Sequence, residues 1–268
     1  MSKEQEIVYI EELKEEIGIL SSLKRVVLSG ILPFEYMEDI SISPDPVGPF
    51  FCVFLLSLVN FFCIYAFLGR TTVAYVKVSP VAPVLNMSGK NILVYPNVES
   101  IPSNFIPLRI TEGVLFRIYS NMVFLSLGLW ISTLIGVYIT TRLLGGYTKS
   151  IPVLSGYAIS ARIYEYLTRA ILLYYLLAPF KIKILVPSRD NINTIISYIM
   201  VGFVKISERL PLLKGHFVFF IIWNIIVMIA VLNAGTRLSI KKSIIGGIMA
   251  CIIAGGIHLI FSRLLDMF

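Results

Sequence analysis

Five stretches of this chain are so long and so apolar that they dictate its surroundings before anything else is read. A helix that crosses a bilayer needs about 20 mostly apolar residues, because each adds about 1.5 Å of rise against a hydrocarbon layer of about 30 Å. Residues 48–69 (GPFFCVFLLSLVNFFCIYAFLG) meet that with no charged side chain. Residues 118–141 follow, with Arg117 at their edge. Residues 151–180 form a longer run that carries Arg162, Glu165 and Arg169. Residues 217–236 and 243–262 complete the set, and neither contains Lys, Arg, Asp or Glu. The expected fold is an all-α polytopic membrane protein. A cytoplasmic segment, 1–46, precedes a five-span membrane domain, 47–268.

Composition agrees. Hydrophobic residues make up 57% of the chain and charged ones only 15%, with mean hydropathy +0.84. A soluble domain of this length is nearer a quarter charged. Disordered, collagen-like and disulfide-scaffold chains are excluded on the same figures. Cys52, Cys63 and Cys251 all lie inside apolar runs and read as small packing residues. Residues 1–46 are too acidic, and too poor in apolar residues, for a secretory signal, so the first run is expected to remain as a span.

The net charge of +7 is a sum of unlike parts. Residues 1–46 hold 4 basic and 10 acidic side chains, while the rest holds 19 basic and 6 acidic. The later cations flank apolar runs, where Lys and Arg anchor helices at headgroups. No basic stretch interleaves with aromatics, so no nucleic-acid partner is expected. The short segments 142–150 and 237–242 contain five basic residues and no acid. Short basic loops stay inside, which places the N-terminus in the cytoplasm.

Residues 6–28 have the pattern of an amphipathic helix, with Ile10, Leu13, Ile17, Leu20 and Val27 on one stripe. Its acidic half disfavours an anionic lipid surface, so the stripe is expected to meet protein. The outer loop, 70–113, contains the alternating VAYVKV and the β-prone NILVY, with Met87-Ser88-Gly89-Lys90 as a turn, and predicts a small extracytoplasmic β-structure. Residues 192–204 are too few to cross and read as an interfacial or re-entrant helix between Pro187 and Pro211.

Ser43-Pro44-Asp45-Pro46-Val47-Gly48-Pro49-Phe50-Phe51 stands at the entrance to the first span. On chemistry alone this is a helix start: Asp45 can accept backbone N–H bonds, and proline is tolerated in a first turn. Asp45-x-x-Gly48-Pro49-Phe50 also resembles the signature that opens the membrane domain of Yip-type proteins (Ypt/Rab-interacting proteins). Gly156-Tyr157-Ala158-Ile159 is similar to the Gly-Tyr-Ser-Leu element of that family's third span. The resemblance covers about residues 43–268 and includes the layout of a cytoplasmic N-terminal segment, five spans and a very short C-terminus. Two features depart from the family pattern: no proline follows the Gly-Tyr element, and the 70–113 loop is long.

The resemblance implies a five-helix membrane protein without known enzymatic chemistry. Eukaryotic members act in vesicle traffic through Rab-type GTPases and other Yip-type proteins. For a eukaryotic source it implies an endomembrane and a small GTPase partner. Forty isoleucines and one glutamine point instead to a prokaryotic, thermophilic source, which has a cell membrane and no Rab system.

Arg162, Glu165 and Arg169, spaced three and four apart, share one helix face. A charge near mid-bilayer costs about 2.5–3.5 kcal/mol on insertion scales, so such groups are paired, displaced to the interface, or part of an ion or solute path. Asn60, Asn121, Asn224, Asn233 and His258 are expected to hydrogen-bond between helices. His216, at a span edge, reads as interfacial. Gly128, Ser132 and Gly136 line one face of the second span, and Gly247, Cys251 and Gly255 one face of the fifth. Such small-residue faces serve helix packing or dimerisation.

No H-E-x-x-H, G-x-S-x-G, Walker or dinucleotide glycine motif occurs, and two histidines offer no catalytic or metal constellation. The expected function is a non-enzymatic scaffold or adaptor, without cofactor, that binds other membrane proteins or a second copy in the bilayer. The alternatives are a small transporter or channel subunit built on the third-span charges, and an accessory subunit of a larger membrane complex.

Overall fold

The computed structural model describes residues 18–79, 81–98, 104–148 and 150–265. The elements run α1 (Ile19–Ser29), α2 (Pro33–Ile42), α3 (Gly48–Leu68), β1 (Thr71–Tyr75), β2 (Pro83–Ser88), β3 (Asn91–Pro96), β4 (Ile106–Pro107) and α4 (Glu112–Leu144). They continue with α5 (Ile151–Ala158), α6 (Ser160–Leu176), β5 (Lys181–Val186), α7 (Ile192–Arg209), α8 (Pro211–Ala230), a π-helical turn (Val231–Gly235) and α9 (Ile240–Leu265). Four helices are long and apolar enough to cross a membrane: Gly48–Leu68, Glu112–Leu144, Pro211–Gly235 and Ile240–Arg263. Large apolar side chains such as Phe54, Phe62, Ile222 and Ile252 project from them unburied. Only a lipid surrounding makes such a surface favourable.

The expected third span, 151–180, is not one of these four. Helix breaks at Ile159 into α5 and α6, and Lys181–Val186 is strand. The charges at 162, 165 and 169 lower the mean hydropathy of this stretch, and Pro179 ends it.

The chain divides into two compact units. One comprises residues 1–57, 123–165 and 219–268. Here α2 packs against α1, α5 and the π-helical turn, which also meets α9. Met37, Ile40, Leu154, Tyr157, Val231 and Leu232 form its buried centre. Of the amphipathic stripe expected over residues 6–28, only Leu20 and Val27 lie among the described residues. Ile10, Leu13 and Ile17 lie outside the described residues, while Leu20 is 82% and Val27 47% exposed. α1 instead buries Ser22, Arg25, Val26 and Ser29. The polar side wins because hydrogen-bonding partners await it, so its burial leaves few donors unpaired.

The second unit comprises residues 58–122 and 166–218 and contains a five-stranded sheet in the order β2-β3-β5-β1-β4. The loop 70–113 supplies four strands, and the central one, β5, comes from the segment after the third apolar run. Lys181–Val186 alternates lysine with isoleucine and then turns wholly apolar, and its last three residues are buried. β5 pairs in parallel with both β1 and β3, while β2 and β4 pair antiparallel at the edges. The expectation of an all-α protein with β-structure confined to one loop is corrected accordingly. β2 and β3 turn at Gly89, whose φ of +57° is costly for a residue with a Cβ.

Residues 192–204 belong to a longer helix, α7, whose apolar side lies on the sheet. Asn191 caps it by accepting the Thr194 N–H at 3.2 Å. Ile195, Ile199, Phe203 and Ile206 are buried, and Gly202 lets Val94 and Ile184 come close. The sequence reading of 192–204 did not anticipate the strand that α7 covers.

Two glycines provide a test of helix packing. A Cβ on Gly136 of α4 would stand 2.7 Å from the Ala250 carbonyl oxygen of α9, whereas one on Gly255 meets nothing within 4 Å. Gly136→Ile is expected to destabilise by about 1–3 kcal/mol, the usual cost of overpacking. Gly255→Ile should leave the thermal midpoint in detergent unchanged. Equal midpoints for the two variants would refute the α4–α9 packing.

Candidate functional site

The most tightly built polar site lies where α2 hands the chain to α3. Asp45 is flanked by prolines on both sides and is fully buried. An ionised carboxylate in such a place must be supplied with donors. The Val47 N–H donates to Oδ1 at 2.9 Å, and the Tyr157 hydroxyl donates to Oδ2 at 2.6 Å. Ser22 and the Gly48 N–H also lie near enough to favour the charged form. Burial pushes the Asp45 carboxyl upward, but the bonds from Ser22, Tyr157, Val47 and Gly48 together outweigh it, so Asp45 titrates below the usual carboxylate range.

The glycines beside it are steric requirements. A Cβ on Gly48 would fall 1.8 Å from the Tyr157 hydroxyl oxygen. One on Gly156 would fall 2.4 Å from Pro49 Cβ. Pro49 opens α3 and Gly156 lies in α5, so the two helices touch at backbone distance. Phe50 meets Trp130 edge to face at 5.5 Å, and Trp130 Nε1 donates to the Pro152 carbonyl at 3.1 Å. Asp45, Gly48, Pro49, Phe50, Gly156 and Tyr157 therefore form one joint, although two separate stretches of sequence supply them.

Further bonds fasten α1 and α2 around this joint. Arg25 pairs with Asp39 at 3.0 Å and donates to the Ser43 carbonyl at 2.9 Å. Ser29 donates to Ser160 at 3.0 Å, Tyr164 to the Val27 carbonyl at 2.7 Å, and Trp223 Nε1 to the Gly30 carbonyl at 2.8 Å. Sequence reasoning did not single out these residues. The signal was present in Ser22, Arg25 and Ser29, which recur at helical spacing opposite the apolar stripe.

Two members of the charged triplet meet. Arg162 Nη1 bonds Glu165 Oε2 one turn along α6, and Glu165 is 1% exposed. Arg169 belongs to the other unit, where its guanidinium lies over the Tyr166 ring at 5.1 Å. The Arg162 charge also acts on Cys251 and His258 of α9. His258 Nδ1 is buried without a hydrogen bond. Asn224 and Asn233 bond within their own segments, to the Phe220 and Leu238 carbonyls, so the expected interhelical bonds are not what these two make. His216 meets the Thr168 hydroxyl at 2.7 Å. Among the described residues no three His, Cys, Asp or Glu side chains gather as a metal ion would require.

The small-residue faces divide. Gly128 lies against Phe261, Gly136 against Ala250 and Ala254, and Ser132 bonds the Gly128 carbonyl at 2.6 Å, all inside the first unit. Gly247 abuts Ile229, and Cys251 lies 4.0 Å from the Asn224 carbonyl. Gly255 is open, so the two predicted faces are not equally used for packing.

Tyr157→Phe removes the hydroxyl donor and keeps the ring, so it is expected to destabilise by about 1.5–3 kcal/mol, the range for bonds to charged groups. Because the folded Asp45 titrates below its unfolded value of about 3.9, its contribution is present above that pH and is lost as pH falls through the folded value. Thermal midpoints measured from pH 7 down to pH 2 should therefore fall more steeply for the natural chain than for Asp45→Asn. Parallel curves would show that Asp45 is not the group responsible.

Comparison with protein-family models, with curated proteins and with solved structures finds no match to this chain.

Proposed function

We propose that this chain is a non-enzymatic, five-span membrane scaffold of Yip type that organises partner proteins through its N-terminal helices. The observation that carries the reading is the Asp45–Tyr157 bond. It joins the two sequence elements on which the resemblance rests, 112 positions apart. Around that bond, α1 is fastened by its polar side and leaves Leu20 and Val27 outward. An anchored helix with an uncovered apolar stripe suits the capture of a partner. α5 and α6 supply the fifth crossing, since the chain is helical from Ile151 to Leu176 apart from Ile159. The N-terminal helices lie on the cytoplasmic side with the basic segments 142–150 and 237–242. The membrane is the cell membrane in a prokaryote and an endomembrane in a eukaryote, where a small GTPase would be among the partners.

Affinity purification in mild detergent should recover a fixed set of membrane proteins or a second copy of the chain. Leu20→Glu/Val27→Glu is expected to cut that recovery at least tenfold without moving the thermal midpoint. A chain that purifies alone as a monomer would refute the reading.

The buried Arg162–Glu165 pair supports a second reading, a small transporter or channel subunit. Charges held inside an apolar helix bundle commonly mark ion or proton paths. On this reading Glu165→Gln abolishes a proton or solute flux in proteoliposomes, and the absence of any flux in the natural chain removes it.

A further inference from the structure

Between α2 and the π-helical turn the first unit contains an open cavity of about 560 Å³. That is within the range of about 300–1,000 Å³ typical of small-ligand sites. Its walls carry both signs of charge. Glu35 and Glu38 are one helical turn apart on α2 and project side by side. Arg237 enters from the other wall. Among the described residues no salt bridge joins Arg237 to either glutamate, so the cavity presents separated positive and negative groups. Phe34 and Ile42, 40% and 60% exposed, supply apolar flanks.

The backbone that carries Arg237 is held in an unusual form. α8 ends in a π-helical turn, a feature that often accompanies functional sites. Arg237 then adopts φ +56°, the left-handed region that arginine seldom occupies. Three bonds hold this shape: Leu238 N–H to the Leu232 carbonyl at 3.1 Å, Thr236 Oγ1 to the same carbonyl at 2.7 Å, and Asn233 Nδ2 to the Leu238 carbonyl at 2.8 Å. Such strain persists only where the surroundings over-determine it, and its result here is to set the Arg237 backbone at the cavity wall.

We propose that this cavity binds a phosphoethanolamine group, its phosphate on Arg237 and its primary ammonium between Glu35 and Glu38. The guanidinium fork matches phosphate oxygens, and an ammonium offers N–H donors to two carboxylates. The group has two sources: the headgroup of phosphatidylethanolamine, whose acyl chains Phe34 and Ile42 would flank, or free O-phosphoethanolamine.

The test uses the full chain in mild detergent. Native mass spectrometry compares retention of phosphatidylethanolamine, phosphatidylcholine and phosphatidylglycerol, and calorimetry measures O-phosphoethanolamine. Phosphatidylethanolamine is expected to be retained at least tenfold over the other two lipids. Arg237→Gly and Glu35→Gln/Glu38→Gln should each abolish that preference. Arg237→Gly also relieves the left-handed strain, so its thermal midpoint should hold or rise, which separates lost binding from lost folding. Binding of O-phosphoethanolamine with the same sensitivity to both variants assigns the free group as a ligand; preference for the lipid alone assigns the headgroup. Equal retention of the three lipids without O-phosphoethanolamine binding overturns the proposal. So does binding unaffected by either variant, or an anion preference sensitive only to Arg237→Gly.

Discussion

A carboxylate sealed away from water must be surrounded by donors, and the first unit is arranged to satisfy that demand at Asp45. Each donor fixes a different piece of chain. The Val47 N–H sets the start of α3, and the Tyr157 hydroxyl sets α5. The chain is thereby located in several directions by one side chain, and Gly48 and Gly156 follow as the only residue type that leaves room. Burying the apolar side of α1 would have gained hydrophobic energy but left Ser22 and Arg25 away from Asp45, Asp39 and Ser43. The satisfied polar side prevails, consistent with the large cost of an unpaired buried charge.

The same physics recurs at Glu165 with a different solution. There the buried carboxylate is balanced by a full positive charge from Arg162 rather than by neutral donors. Neutral donors hold Asp45 in place and favour its charged form. An ion pair inside an apolar bundle can exchange partners and protons, and this is why the second reading of function rests on Glu165 and not on Asp45.

What could be read in the sequence follows from the range of the interactions involved. Runs such as 48–69 and 243–262 are legible because lipid asks only for length and apolarity, both local properties. The Asp45–Phe50 and Gly156–Ile159 elements were legible as elements, but not as one joint, since no spacing rule connects residues 112 positions apart. The stripe of Leu20 and Val27 was legible, but which side of α1 packs inward was not, because the partners of Arg25 and Ser29 decide it. Lys181–Val186 was not recognised as a strand, and α7 then lacked a surface to cover. The strand's alternation covers only Lys181–Ile184 before it turns wholly apolar, too short a pattern for periodicity alone to reveal it. The cavity beside Arg237 depends on a π-helical turn and a left-handed residue, neither of which composition announces.

The position of β5 has a consequence for how the protein is made. β1 and β3 do not touch each other; both are joined through β5, which is synthesised only after α4, α5 and α6. Until residue 186 emerges, the β2–β3 hairpin and the β1–β4 pair are separate fragments with open edges, and such edges invite pairing with other chains. A ribosome adding about 5–20 residues per second leaves them so for several seconds. The sheet is thus complete only once the chain has passed through the three helices that separate β4 from β5.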